Sequence, residues 1–477
     1  MMNSSISSAV NNFPVQGTNW NFITWTLLFL VSGALFLDGI DLSMVNIALP
    51  SISSQLSLST GDLQWIVNAY ILGYGGFLLL GGRVADLLGR RTVFLTAVAV
   101  FGVASIVSAF MNDATALIAL RFIKGISAGF TVPAGMSIIA TSFVEGPARS
   151  RALTLYSVIG TLGFALGLVL GGVFTEFGWR ATMFIPGPVA LTIFLLGMKL
   201  VPYAHREKVT FAQFDLLGTI SMTGALLLLV YALVEAPVNG WTSNISLAMF
   251  AASVILMVIF VWAELRHRHP LVRLGILRSG SLLHANISAA LLLGSFMAFQ
   301  FVATLYLQDS LGWSPLEVAL AFLPSSLPVT LLGPRMGALF ARKGTTIPLL
   351  IGLSFVSIAY VLLLRAEPDM PYWSFLLPTM ILVGFGFAFG FPAVNVQGTM
   401  GVKETEQGLA SGLINTSLQI GGAISLAITA AVLSSANAPM VHGELLPNMK
   451  PAIATFTGIA VLGVVLTLIR MITSKKR

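Results

Sequence analysis

Residues 82–91 read Gly82-Arg83-Val84-Ala85-Asp86-Leu87-Leu88-Gly89-Arg90-Arg91, a short basic stretch between apolar runs at 63–82 and 92–111. Each run has about the 20 residues that an α-helix needs to cross the hydrocarbon core of a bilayer. Neither alternates with the period of two that marks a membrane strand. The stretch is therefore read as a loop at a membrane surface. The pattern repeats in both directions, giving fourteen spans near 23–49, 63–82, 92–111, 115–140, 152–175, 181–198, 215–234, 243–263, 282–307, 317–334, 345–364, 373–399, 408–434 and 451–469. Composition agrees: of 477 residues, 56% are apolar and 9% charged, and mean hydropathy is +0.91. Soluble domains carry about 25% charged residues. Charges this sparse cannot clothe a water-facing surface, which excludes a soluble enzyme, a nucleic-acid module and a disordered scaffold. The fold expected is an all-α polytopic membrane protein with the lipid bilayer as its surroundings. With no cysteine there is no disulfide framework or thiolate metal site. The first basic residue, Arg83, comes too late for the n-region of a cleavable signal peptide.

An even number of spans places both termini on one side. With that side taken as the cytoplasm, 20 of the 25 Lys and Arg residues fall in inside loops or the C-terminal end. Arg180, Arg365 and Lys450 fall outside, and Arg121 and Lys124 fall within a span. This is the positive-inside pattern. It predicts a multi-pass protein of the plasma (inner) membrane with cytoplasmic termini. It also accounts for the net charge of +7 without a nucleic-acid partner.

Gly337-Ala338-Leu339-Phe340-Ala341-Arg342-Lys343-Gly344 is a degraded echo of the opening stretch. Aligning Gly89 on Gly344 makes span 2 the counterpart of span 10. The predicted layout is a tail (1–22), a six-helix bundle (23–203), two inserted helices (204–270), a second six-helix bundle (271–472) and a basic tail (473–477). Many secondary transporters are built from such repeats, with the substrate site between the halves near the midplane.

At these residues the chain resembles the major facilitator superfamily, and within it the fourteen-helix drug:proton antiporter branch. Residues Gly82 to Arg91 resemble the family's signature loop between helices 2 and 3. Asp41-Leu42-Ser43-Met44-Val45-Asn46-Ile47-Ala48-Leu49-Pro50 resembles the helix 1 motif of that branch, with Ser43 where Thr is usual. Arg121-Phe122-Ile123-Lys124-Gly125 resembles the helix 4 motif, with Lys124 where Gln is common. Gly163-Phe164-Ala165-Leu166-Gly167-Leu168-Val169-Leu170-Gly171-Gly172 resembles the antiporter motif of helix 5, with Leu168 in place of its Pro. Phe214 to Gly218 and Gly408 to Thr416 look similar to further stretches of the branch.

Ionisable residues inside spans cost about 2.5–3.5 kcal/mol each on insertion scales, so the deep ones are functional candidates. Here they are Asp38 and Asp41 in span 1 and Arg121 and Lys124 in span 4, each pair three residues apart and so on one helix face. With span 1 ending near Pro50, Asp41 lies nine residues from its outer end and Asp38 twelve, while Arg121 lies seven residues deep and Lys124 ten. At about 1.5 Å per residue, Asp41 is expected to face Arg121 and Asp38 to face Lys124. One reading is a relay whose carboxylates gain and lose protons as access changes. The other is a permanent ion pair locking span 1 to span 4. Lys124 either neutralises Asp38, weakening a preference for cations, or contacts an anionic substrate.

The resemblance implies that Gly82, Asp86, Gly89, Arg90 and Arg91 form a conformational latch; a plain positive-inside loop is the alternative. Gly163, Gly167, Gly171 and Gly172 give span 5 a small-residue face suited to close helix packing. Without the family's Pro, antiport rather than symport stays open. In the second half the spans carry neutral polar groups, of which Gln300 and Asn395 are the cavity candidates. His284 is read as an interface residue, and Glu235 as exposed near Pro237. No nucleotide motif, metal cluster or cofactor is expected, and no nucleophile–base–orienter set marks an enzyme. The expected function is proton-coupled efflux of amphipathic, drug-like or antibiotic-like small molecules by a monomer working through alternating access. A metabolite symporter or exchanger, and a lipid-handling protein, are the rivals.

Overall fold

The structure, a computed structural model, describes residues 20–144, 147–203, 215–267, 270, 272–367, 370–400, 402, 407–435 and 443–474. The tail up to residue 19, the start of the inserted segment (204–214), Lys403 and the last three basic residues lie outside these.

Long apolar runs fold as helices because a backbone in lipid must satisfy its own hydrogen bonds. The helices are α1 Phe22–Leu56, α2 Thr60–Leu88, α3 Arg90–Ser108, α4 Ala114–Ser142, α5 Pro147–Glu176, α6 Trp179–Phe184, α7 Pro186–Leu200, α8 Leu216–Asn239, α9 Asn244–Arg266, α10 Gly280–Leu305, α11 Pro315–Phe322, α12 Ser326–Lys343, α13 Thr346–Leu363, α14 Leu376–Thr399, α15 Gln407–Ser434 and α16 Met449–Ser474. They make 14 stretches long and apolar enough to cross a membrane, with α6 and α7 forming one, and α11 and the start of α12 another. Pro186 opens α7, and a 3-10 turn, Leu323–Ser325, divides α11 from α12.

Two boundaries differ from the sequence reading. Span 1 does not end near Pro50; α1 runs through it to Leu56 and closes on Ser57, whose left-handed backbone (φ 53°) returns an amide bond to the Ser53 carbonyl. Proline removes one hydrogen bond, whereas ending the helix there would leave several carbonyls open. Nor is 82–91 a loop. Helix α2 continues to Leu88 and α3 begins at Arg90, with Gly89 alone (φ 97°) turning the chain.

Spans 2 and 10 are bracketed alike. Each opens on a reciprocal capping box, Ser59 with Asp62 and Ser314 with Glu317. Each closes on a glycine with positive φ, Gly89 and Gly344.

Trp20 packs on Phe143 with ring centroids 5.1 Å apart, and Arg470 donates to the Gly280 carbonyl. Because Ile47 late in α1 and Gln308 just past α10 meet at the other end, the described chain ends share one end of the bundle, here the terminal end. At the opposite, far end the halves meet. Gln308 Nε2 of the π-helical turn Tyr306–Ser310 donates to the Ile47 carbonyl at 2.8 Å, and α5 presses on α11 at Gly172. Among the described residues α5 makes no comparable contact with α12, whose Leu327 and Leu331 are exposed. The halves thus meet at the far end, through α1 with the end of α10 and through α5 with α11.

Helix α8 lies on α2 and α15, with Thr223 Oγ1 donating to the Gly76 carbonyl at 3.1 Å. Helix α9 packs on α8, where Ser253 Oγ donates to the Ala225 carbonyl at 2.7 Å, and exposes Val254, Val258 and Leu265, as lipid contact requires.

Candidate ion and substrate site

The site is assembled by glycine seams. On α4, Gly125 and Gly129 let the α2 backbone approach; a Cβ on Gly125 would sit 2.1 Å from the Tyr70 carbonyl oxygen. On α5, Gly163, Gly167 and Gly171 do the same for α1, against Phe36, Ile40 and Met44. Gly172 instead faces α11, its Cβ position 2.8 Å from the Ala319 Cβ.

Between these seams Asp41 of α1 accepts from both Arg121 Nη1 and Lys124 Nζ of α4, and all three side chains are fully buried. The expected pairing of Asp38 with Lys124 is therefore corrected: both cations converge on Asp41. The depth count had its origin at Pro50, where α1 does not end, and the flexible Lys stem spans the remaining offset. Arg121 Nε also donates to the Ile66 carbonyl at 2.9 Å, and its guanidinium lies 4.4 Å from the Tyr70 ring centroid, while Nη2 has no partner. Lys124 Nζ stands 4.9 Å from the Phe101 ring centroid.

Asp38 is half-buried and makes no ion pair among the described residues. It accepts a hydrogen bond from the Tyr70 hydroxyl. A void of about 10 Å³, room for about one water, opens beside it, walled by Leu37, Phe101, Thr131 and Val132. The two carboxylates thus differ in kind: Asp41 is sealed between cations, and Asp38 is hydroxyl-bound and hydratable. Tyr70 was missed from sequence, although a tyrosine deep in a span needs a partner for its hydroxyl. Tyr70→Phe should cost about 1.5–3 kcal/mol, the range for hydrogen bonds to charged groups, with Tyr70→Leu costing more because it also strips the ring from Arg121. Thermal unfolding in detergent measures both; equal melting of all three proteins would show that the bond contributes nothing.

The latch candidates lie at the terminal end. Arg90 donates to the Ser137 carbonyl at 3.4 Å, and Arg91 donates to the Met198 carbonyl with Tyr203 under its guanidinium at 3.5 Å. These contacts bind α3 to α4 and α7 within the first half. Gly82 approaches Pro133, and the Asp86 side chain lies outside the described residues.

The cavity candidates separate. Gln300 is fully buried with neither amide atom partnered among the described residues, whereas Asn395 donates to the Phe391 carbonyl of its own helix. His284 is buried against Gln397 at 3.2 Å, in keeping with an interface role. Two carboxylates were passed over: Asp309, half-buried in the π turn, and Glu264, buried and accepting from the Val272 amide. Neither adjoins the ion cluster in sequence, and no group of metal-ligating side chains occurs among the described residues.

The family model described as Major Facilitator Superfamily matches residues 31–426. The puromycin resistance protein pur8 of Streptomyces alboniger is 35% identical over 88% of this chain and 84% of its own length. The cephamycin export protein CmcT of Amycolatopsis lactamdurans is 31% identical over 91% of this chain and 90% of its own. Among solved structures, a peptide transporter POT in complex with sulfate superposes with a TM-score of 0.72 at 15% identity, covering 99% of this chain and 98% of that one. At that identity the likeness shows the fold alone.

Proposed function

The chain belongs to the Major Facilitator Superfamily, and on that premise we propose that it is a proton-coupled exporter of amphipathic, antibiotic-like small molecules. The observation that carries the reading is the buried cluster of Asp41, Arg121 and Lys124 between α1 and α4, in a chain whose relatives are named for antibiotic resistance and export. The positive-inside bias supports a cytoplasmic terminal end and a place in the plasma membrane. In that orientation substrate enters from the cytoplasm at the terminal end, and the far end, where the halves meet, faces outside. The halves, with α8 and α9 as the inserted pair, rock about the site as a monomeric unit. A proton arriving from outside neutralises a carboxylate at Asp41 or Asp38 and weakens its hold on Arg121, Lys124 or Tyr70. That change favours one access state, while substrate favours the other. Gly89, Arg90 and Arg91 brace the cytoplasmic ends of the first half as the latch.

Proteoliposomes loaded at acid pH test the coupling. Added puromycin should trigger proton release from wild-type vesicles and be taken up in exchange. Protons and puromycin moving in the same direction would put the symporter in its place.

A further inference from the structure

Helix α2 meets the second half along a single stripe. Leu79 packs on Gly412, Gly75 on Gln419 and Ile420, and Ile71 on Gly422, which also lies against Met297 of α10. Helices α2, α10 and α15 therefore converge at the level of Ile71, Met297 and Gly422. Toward the far end, numbering falls along α2 and rises along α10 and α15. One turn beyond the convergence stand Asn68 on α2 and Gln300 on α10. A further turn brings Gln64 and Thr304, with Thr429 on the same face of α15 as Gly422. Farther still, the bond from Gln308 to Ile47 ties the halves together.

These five side chains are at most 1% exposed. Among the described residues, both amide atoms of Asn68 and of Gln300, Oε1 of Gln64, and the hydroxyls of Thr304 and Thr429 have no hydrogen-bond partner. Nearer the terminal end the same stripe is closed by Leu79 on Gly412 and by Gln419 and Ile420 on Gly75. Unpartnered amides weaken the closed state, and a partner gained in another state offsets that cost. The far end is where α2, α10 and α15 part when the molecule opens the other way.

We propose that Asn68, Gln300, Gln64, Thr304 and Thr429 form a charge-free hydrogen-bonding site on the far-end half of the transport path, which takes up uncharged amide, carbonyl and hydroxyl groups of the substrate as that end opens. The site rests on the export reading and adds the substrate chemistry: hydrogen-bonding groups beside whatever charge the Asp41 cluster meets. Donors and acceptors at neighbouring levels of three helices suit amide-bearing and hydroxyl-bearing molecules.

The test compares puromycin, which carries an amide and hydroxyls, with tetraphenylphosphonium, a cation without hydrogen-bonding groups. In proteoliposomes the Asn68→Leu/Gln300→Met variant should raise the KM ratio of puromycin to tetraphenylphosphonium about tenfold or more, as expected when buried polar groups read a ligand. Its thermal unfolding midpoint should equal or exceed the wild type's, because orphaned amides have been removed. An unchanged ratio overturns the site and leaves these amides to water or packing. Equilibrium binding of both probes in detergent separates the two proposals. Selective binding that depends on Asn68 and Gln300, without transport, condemns the export reading and keeps the site. A wild type that binds neither probe overturns the site.

Discussion

Asp41→Asn should abolish coupled transport and destabilise the protein by about 3–5 kcal/mol, the cost of removing one partner from a buried ion pair. Here the loss is compounded, because Arg121 and Lys124 both converge on Asp41 and all three are fully buried. The amide keeps the shape but leaves two cations without a counter-charge in a low-dielectric interior. Loss of transport alone would not separate coupling from mere integrity, so the informative protein is Asp41→Asn/Lys124→Gln. It removes one cation along with the anion, and should recover most of the thermal stability in detergent. If Asp41 takes part in coupling, the double variant stays inactive in the acid-loaded vesicle assay despite its stability. Recovery of puromycin-triggered proton release would reduce Asp41 to a structural clamp and move the coupling role to Asp38.

The second large effect is expected at Gly167. A Cβ there would lie 2.1 Å from Ser43 Oγ, 2.7 Å from Ile40 Cα and 2.9 Å from the Ile40 carbonyl oxygen. Rotation of Ser43 relieves the first contact, but the other two are backbone, so α1 and α5 must separate. Overpacking of this kind costs about 1–3 kcal/mol and sometimes more, and it displaces the helix that carries Asp38 and Asp41. Gly167→Val should lower the unfolding midpoint and reduce transport more than tenfold, a factor that about 1.4 kcal/mol in the working state supplies. Gly458→Val is the control, since a Cβ at Gly458 meets nothing within 4 Å. Matching behaviour of the two variants would show that the seam tolerates a side chain.

Much of this architecture is legible in the residues because lipid leaves the backbone few options. Apolar runs of bilayer length become helices, and the loop charges fall to one side. Gly89 and Gly344, aligned from sequence alone, stand at matching chain turns. The limits are equally physical. Pro50 looks like a stop, yet a helix in lipid continues where a soluble one ends. Helical spacing put Asp38 and Asp41 on one face, and Arg121 and Lys124 on another. It carried no information on how far a lysine stem reaches, so the second pairing failed. Polar residues in the second half all look alike in sequence. Only packing distinguishes Asn286, which accepts from Ser417, from Gln300, which has no partner. Tyr70 gave a usable signal, a deep phenol in need of a partner, that was passed over.

Gly171 and Gly172 are adjacent in sequence, but about 100° apart around α5. The first belongs to the seam with α1 and the second to the contact with α11. One helix thus presents a weld on one side and a bearing surface on the other. Whatever turns α1 turns α5 with it, so the carboxylates of α1 ride on the same lever that rolls against the opposite half. The charge and the fulcrum are rigidly joined, and no side chain need cross the boundary for one to move the other.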